Sequence, residues 1–371
     1  FATQAKQLCK RFKHVELVVV IGIGGSNLGA QAVFEAVNGK HYNLFSKKKL
    51  LWLGAIDADS LAAVKKAMQN TPAAKILLIV ISKSGRTTET IANFQALYKK
   101  GINVVAISDS GSSLHKLAGT TRFHYLEIPK NVGGRYSVFS NVGLFPLAVM
   151  GINVEKLLKG SQRGAFASLS LNWKQNPALV MAALLYLHHK NGKHLNESFF
   201  FANNLESLGK WWRQLLSESI GKEKNLSGKT VHEGITPIVA TAVDLHSQAQ
   251  LYFGGQNNRF YSIVDVEKSK SFFIPALANE IIPNIAGKNT SGVASAILTG
   301  FKKALAKRKR PFVEIKLKRI AEGEIGEYMQ VQMIAVMLLG YLLNINAFDQ
   351  PNVEDYKKET KKQLIGVSEH Y

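Results

Sequence analysis

Hydroxyl groups crowd one short stretch of this sequence. Ser82-Lys83-Ser84-Gly85-Arg86-Thr87-Thr88-Glu89-Thr90 follows the apolar run Ile76 to Ile81 and reads as the turn from a strand into a helix. A terminal phosphate monoester presents three acceptor oxygens, and a helix N-terminus ringed by Ser and Thr offers donors and a favourable dipole. One capping hydroxyl is ordinary, whereas four or five in a single turn point to an anion. Walker spacing is missing, which argues against a nucleoside triphosphate. Ser82, Ser84 and Thr87, with the backbone around Lys83, are the phosphate-binding candidates here. A second turn, Gly22-Ile23-Gly24-Gly25-Ser26-Asn27-Leu28-Gly29, follows the strand Val18 to Ile21 and lets backbone N–H groups approach an anion closely. Gly25 and Ser26 are its candidate contacts. A dinucleotide fingerprint wants glycine where Asn27 stands, and Asp57 lies far along for a ribose-binding acid. Tight strand–helix packing explains this second loop equally well.

Such loops need a scaffold, and the chain supplies one. Short β-branched runs at Leu17 to Ile21, Leu50 to Leu53, Ile76 to Ile81 and Val104 to Ile107 alternate with helical stretches, the pattern of a buried parallel sheet. Asp57 or Asp59 can cap a helix through Met68, and Gly39 and Gly101 sit where helices should end. A Gly-rich turn and a helix at Leu144 to Met150 follow, so a first α/β domain covers 1–150. A polar, mainly helical connector covers 151–175. Asn176 and Pro177 open a second α/β domain over 176–345, with strands at Ser198 to Phe201, Phe260 to Val264 and Phe312 to Ile315. Its helices are expected at Glu206 to Glu218, Ala242 to Phe253, Gly292 to Ala306 and Ile325 to Leu343. Gln350-Pro351 breaks the chain, and a polar helix at Asn352 to Gln363 lies in a tail over 346–371. The fold class is thus α/β, with two tandem mainly parallel sheets flanked by helices.

Composition narrows the options. With 371 residues, 46% hydrophobic and 20% charged, the chain can bury a sizeable core and is not disordered. No run of eighteen apolar residues and no signal-peptide pattern occurs, so a cytoplasmic protein without a membrane span is expected. The sequence opens at Phe1 with a strand-like run close behind, and further N-terminal sequence is expected. The one cysteine, Cys9, can form neither an internal disulfide nor a cysteine-rich zinc site. Lys and Arg outnumber Asp and Glu by 47 to 26, giving +21, a field that attracts anions from sugar phosphates to nucleic acids.

The two loops, together with Gly133-Gly134-Arg135-Tyr136-Ser137, closely resemble the phosphoglucose isomerase family, whose fold is a pair of sugar-isomerase domains. Glu218-Ser219-Ile220-Gly221-Lys222 is similar to the family's Glu-Ser-x-Gly-Lys. Asp244-Leu245-His246-Ser247-Gln248 resembles its histidine motif, and Phe348-Asp349-Gln350-Pro351-Asn352-Val353-Glu354 through Lys357 its C-terminal lysine motif. Six motifs in order cover nearly the whole chain. Arg86 and Ile220 depart from the family pattern, Arg86 by placing a cation where a small or hydroxyl residue is common.

The resemblance implies interconversion of glucose 6-phosphate and fructose 6-phosphate through a cis-enediolate. That reaction needs a base that takes a proton from one carbon and returns it to the next, which a carboxylate can do without moving. Glu218 is the candidate, and Gln214, four residues earlier, shares its helix face. Arg135, in a Gly-flanked turn with Gly134, suits stabilisation of the enediolate oxygen. His246 and Lys357 are implied as acid/base partners at O5 and O1, and Gln350 as a substrate contact. In the family the histidine comes from the other subunit, so a homodimer with shared sites is implied. No metal or organic cofactor is called for.

Taken alone, His246 would read as a core histidine and Lys357 beside Lys358 as a solvated face. His188, His189 and His194 read as a polar helix end and turn, Lys307 to Arg310 as cations at a helix C-terminus, and Trp211 and Trp212 as packing residues. The rival functions are a non-catalytic sugar-phosphate sensor, a nucleic-acid binder and a nicotinamide dehydrogenase. A sensor would not need Glu218, His246 and Lys357 together. A nucleic-acid binder would interleave aromatics with a basic stripe, which is missing here.

Overall fold

Three of the five residues of Leu17–Ile21 are valines, and a β-branched run flanked by turns has little choice but an extended, doubly covered strand. In the computed structural model, which describes residues 1–275, 281–282 and 284–366, this run is β1. The remaining strands are β2 (Lys49–Leu53), β3 (Ile76–Ile81), β4 (Asn103–Ser108), β5 (His124–Glu127), β6 (Leu195–Phe200), β7 (Lys222–Lys224), β8 (Thr230–Glu233), β9 (Thr236–Thr241), β10 (Arg259–Lys268) and β11 (Phe312–Arg319). Two parallel sheets result, ordered β2-β1-β3-β4-β5 and β11-β10-β6-β9, with β7 and β8 forming an antiparallel hairpin. Positions 276–280 and 283 of the expected second domain and 367–371 of the expected tail lie outside the described residues.

Side chains alternate faces along a strand, and the packing follows that period. Val18 and Val20 enter the largest apolar cluster, while Val19 and Ile21 face a second cluster with Leu78 and Val80 on the other side of the first sheet. The largest cluster also takes in Leu144, Leu157, Met181, Trp211, Met329 and Phe200, so a layer of helices between the sheets shares one core. A third cluster around Phe199, Tyr261 and Phe301 covers the outer face of the second sheet.

Helix starts obey local chemistry. Asp57 caps Ala58–Gln69 by accepting from the Ser60 N–H at 2.8 Å, and Asn176 caps Pro177–Lys190 by accepting from that of Leu179 at 2.9 Å. The helix Glu322–Leu342 is long and apolar enough to cross a membrane by length and composition, yet Ile325, Met329, Met333, Val336 and Leu339 are buried in the shared core.

Several elements differ from the sequence expectation, the β7–β8 hairpin among them. β5 is a fifth strand in the first sheet, short and polar because it closes the edge. β9 is a fourth strand in the second sheet, carrying Pro237, which an edge position tolerates. The single helix expected over Ala242 to Phe253 is two short ones, Asp244–Ser247 and Ala249–Gly254, broken at Gln248.

One close helix crossing is set by glycine. A Cβ on Gly160 would lie 1.9 Å from the Gly323 carbonyl oxygen, and one on Gly326 would lie 2.1 Å from that of Leu157. Backbone therefore meets backbone where Val154–Ala167 crosses Glu322–Leu342. Gly326→Ala should lower stability by about 1–3 kcal/mol through overpacking, seen as a lower urea midpoint at unchanged slope. Gly300→Ala, at an exposed position of the helix Thr290–Lys307 where a Cβ meets nothing within 4 Å, should instead stabilise by about 0.4–1 kcal/mol. Equal effects of the two substitutions would refute the crossing as the source.

Candidate active site

In the first sheet the strand order reverses between β1 and β3, and ligands of open parallel sheets bind outside the carboxyl ends of strands at such a point. The two loops singled out from the sequence leave those same two strands. A Cβ on Gly22 would lie 3.1 Å from the Ile81 carbonyl oxygen, so the first loop abuts the end of β3. The second loop folds on itself: Ser82 Oγ and Thr87 Oγ1 are 2.8 Å apart, and the Arg86 N–H donates to Ser84 Oγ at 3.2 Å. Gly85 takes a φ of +67°, and a Cβ there would lie 2.5 Å from the backbone nitrogen of Leu114. The loop is thereby pressed against the start of the helix Ser113–Thr121, where Arg86 Nε donates to Ser113 Oγ at 2.8 Å.

Lys83 does something the sequence did not suggest. Its ammonium turns away from the hydroxyl cluster and donates to the carbonyls of Lys130 and Val132 at 2.7 and 2.9 Å. Those carbonyls belong to the segment that leads from β5 into Gly134–Phe139, a single stretch of 3-10 helix carrying Arg135.

Arg135 is nearly sealed, with 1% of its side chain exposed, and each of its donors has an acceptor. Nε donates to Ser219 Oγ at 2.8 Å, Nη1 to Gln350 Oε1 at 2.7 Å and to Glu218 Oε2 at 3.4 Å. Nη2 donates to the carbonyls of Ala347 at 2.7 Å and Asp349 at 3.2 Å. Glu218 thus meets Arg135 at the loosest of five contacts. Its other oxygen accepts from Gln214 Nε2 at 2.9 Å, and 35% of its side chain remains exposed.

Helix Glu206–Ile220 delivers this carboxylate because its two faces are unlike. Trp211, Trp212, Leu215 and Leu216 are buried, and Trp212 Nε1 donates to Ser198 Oγ of β6, which fixes the helix rotation and leaves Gln214 and Glu218 on the other face. Gln214 Oε1 is buried and has no hydrogen-bond partner among the described residues. A Cβ on Gly24 would lie 2.9 Å from Gln214 Nε2, and one on Gly25 would lie 2.2 Å from the carbonyl carbon of Gly134. Only glycine lets the first loop touch both the Gln214 side chain and the Arg135 turn.

Sequence reasoning missed several supports. Lys222 Nζ donates to the carbonyls of Glu218 at 2.6 Å and Asp349 at 2.8 Å, and burial beside Arg135 lowers its pKa. Tyr136 donates to the Ala347 carbonyl at 3.0 Å and lies 2.9 Å from Ser219 Oγ, and burial raises its pKa. The i, i+4 spacing of Glu218 and Lys222 was the available signal.

Glu218, Arg135, Gln214, Gln350 and the Gly24–Gly25–Gly134 backbone are brought together, whereas two expected residues stand apart. His246 is exposed on the short helix after β9, with no hydrogen bond to this group among the described residues. Lys357 pairs with Glu354 at 2.7 Å on the exposed helix Val353–Gly366. The histidines near the Asn191-Gly192 turn do not form only a polar helix end, since His189 is buried against Glu233 and 3.1 Å from His194. At the C-terminus of Thr290–Lys307, Arg308 and Arg310 donate to the Phe253 carbonyl.

Comparison with known proteins gives this geometry a lineage. The sequence profile of the family described as phosphoglucose isomerase matches residues 5–366. A probable glucose-6-phosphate isomerase of Methanococcus maripaludis is 32% identical over 363 residues, covering 95% of this chain and 80% of that protein. The glucose-6-phosphate isomerase of Carboxydothermus hydrogenoformans is 33% identical over 377 residues, covering 96% and 80%. Among solved structures, a hypothetical protein from Thermus thermophilus superposes with a TM-score of 0.88 at 29% identity, covering 98% of this chain and 87% of that one. A glucose-6-phosphate isomerase from Chlamydia trachomatis shares the fold, with a TM-score of 0.84 at 22% identity over 100% of this chain and 74% of that one. Matched from near its first residue to the last described one, the chain belongs to the phosphoglucose isomerase family.

Proposed function

We propose that this chain interconverts glucose 6-phosphate and fructose 6-phosphate, with Glu218 as the base that carries the proton between C2 and C1. The observation that carries the reading is the setting of Glu218: a half-exposed carboxylate held between the Gln214 amide and a buried, otherwise saturated Arg135. Such a carboxylate keeps its orientation while open to substrate. The names of the relatives point to the same reaction, and the family match lends nothing to a non-catalytic sensor.

In this reading the phosphate lies in the cup of Ser82, Ser84 and Thr87 at the start of the helix Thr88–Leu97, where hydroxyls and the helix dipole meet it. Gly25, Ser26 and Gly134 line the sugar's path to Glu218, between the proposed domains 1–150 and 176–345. An enediolate oxygen takes over the 3.4 Å contact of Arg135 Nη1, the one its geometry holds least tightly. Gln214 Oε1 accepts a sugar hydroxyl. Lys357 completes the set when its helix, which starts just after the Gln350 contact, lies over the site.

His246 comes from a second copy. Its exposure, and the lack among the described residues of any hydrogen bond from it to the Glu218 group, favour a composite site, and Phe166, Leu169, Leu171 and Trp173 expose apolar surface of the kind a homodimer buries. The dimer works in the cytoplasm, without membrane, nucleic acid or cofactor.

Glu218→Gln keeps shape and removes basicity, so turnover of fructose 6-phosphate should fall by about 10²- to 10⁴-fold while binding persists. Glucose 6-phosphate appearance and deuterium uptake from heavy water measure this together. Near-normal rates of both would place the base elsewhere. Mixing His246→Ala with Glu218→Gln protomers should restore some activity, since one site of each mixed dimer is intact. Failure to recover it in confirmed mixed dimers would put His246 in its own subunit's site. Arg86→Thr should weaken substrate affinity by roughly tenfold at low salt, a charge-assisted bond's worth, with the gap closing as ionic strength rises. An affinity unchanged at every ionic strength would remove Arg86 from phosphate binding.

A further inference from the structure

We propose that Lys83 is a positioning residue that ties the phosphate loop to the turn bearing Arg135, so that the anion-binding end and the proton-transfer end of the site are held by one side chain. The inference rests on the function proposed above for the same site. In the hydroxyl loop, Lys83 is expected to offer phosphate its backbone. Its ammonium is committed elsewhere: two of its three N–H groups go to the carbonyls of Lys130 and Val132. Its own carbonyl accepts from the Asp109 N–H at 3.1 Å, which anchors the loop to the end of β4. The backbone at Lys83 is thus fixed on one side and the Lys130–Val132 segment on the other.

From Val132 the connection to chemistry is short. Gly133 and Gly134 follow, and the Ser137 hydroxyl donates to the Gly134 carbonyl at 2.7 Å and contacts that of Gly25 at 3.2 Å. Arg135, one residue on, holds Glu218 and Gln350. Three loops from β1, β3 and β5 therefore meet around one turn. Lys83 supplies the link from the β3 loop, and contacts at Gly25 supply that from β1. An ammonium suits this job, since it can reach two carbonyls at once from a flexible stem.

The test compares Lys83→Met, which keeps the stem and removes the donors, with Lys83→Arg, which keeps charge and donors. A positioning role predicts that Lys83→Met lowers kcat for fructose 6-phosphate by about 10- to 100-fold, as misplacement near 1 Å does. Its Kd for inorganic phosphate, read by calorimetry, should change less than threefold, and Lys83→Arg should recover most of kcat. Amide hydrogen exchange gives a readout that needs no activity: Val132 to Tyr136 should exchange faster in Lys83→Met while the amides of Thr88 to Leu97 do not. The opposite pattern, a phosphate Kd at least tenfold weaker with kcat kept, would make Lys83 a direct phosphate ligand and overturn the proposal. Unchanged kcat together with unchanged exchange would overturn it as well. If Lys83→Met does not fold, Lys83→Gln serves, with the same expectations. A wild-type protein inactive on both hexose phosphates would instead refute the function, and the exchange arm would still decide the role of Lys83.

Discussion

A guanidinium cannot shed its proton, so once buried it must find acceptors for five N–H groups or destabilise whatever encloses it. Arg135 meets that demand from two distant parts of the chain: Ser219 and Glu218 at the end of one helix, and the segment Ala347 to Gln350, where Ala347 and Asp349 accept through their backbone and Gln350 through its side-chain amide. The ends of the elements around it are therefore not free to drift. Lys222 adds a second buried cation sharing the Asp349 carbonyl, and the repulsion between the two charges is offset by carbonyls and by Asp349 itself. The same interaction that closes the architecture fixes Glu218, leaving the carboxylate loosely held on one oxygen and firmly on the other.

Close backbone approach is the second constraint. Gly24 and Gly25 bring the β1 loop onto Gln214 and the Arg135 turn, and Gly160 and Gly326 bring two long helices into contact. At Gly25, Gly160 and Gly326 a methyl group would collide with backbone, whereas at Gly24 it would meet the end of the Gln214 side chain. Glycine here reports distance between chain segments, and the positive φ of Gly24 adds a conformational reason at one of them.

Much of this was legible because it depends on period and local chemistry. The buried strands read as apolar runs, the caps at Asp57 and Asn176 sat where helices begin, and the order of strands and helices gave two parallel sheets. The edge strands β5 and β9 escaped notice because an edge needs neither a continuous apolar run nor freedom from proline. At the site, Glu218 was visible through the motif it shares with the family, Gln214 through its i, i+4 spacing from Glu218, and the hydroxyl loop through composition. The direction of the Lys83 side chain was not visible, nor the saturation of Arg135, since both depend on carbonyls contributed by remote segments. A sequence names its side chains, but every residue carries the same carbonyl, and only the fold says which ones converge.

The acceptors of Arg135 also arrive in a definite order during synthesis. Ser219 and Glu218 lie more than eighty residues downstream of it, and Ala347, Asp349 and Gln350 more than two hundred. A nascent chain that has emerged only as far as the second sheet holds an arginine whose two terminal nitrogens lack their main partners, so it cannot be sealed in the interior. The half-made protein must keep that turn wet and mobile. Assembly of the site is in this way tied to completion of the chain through residue 350.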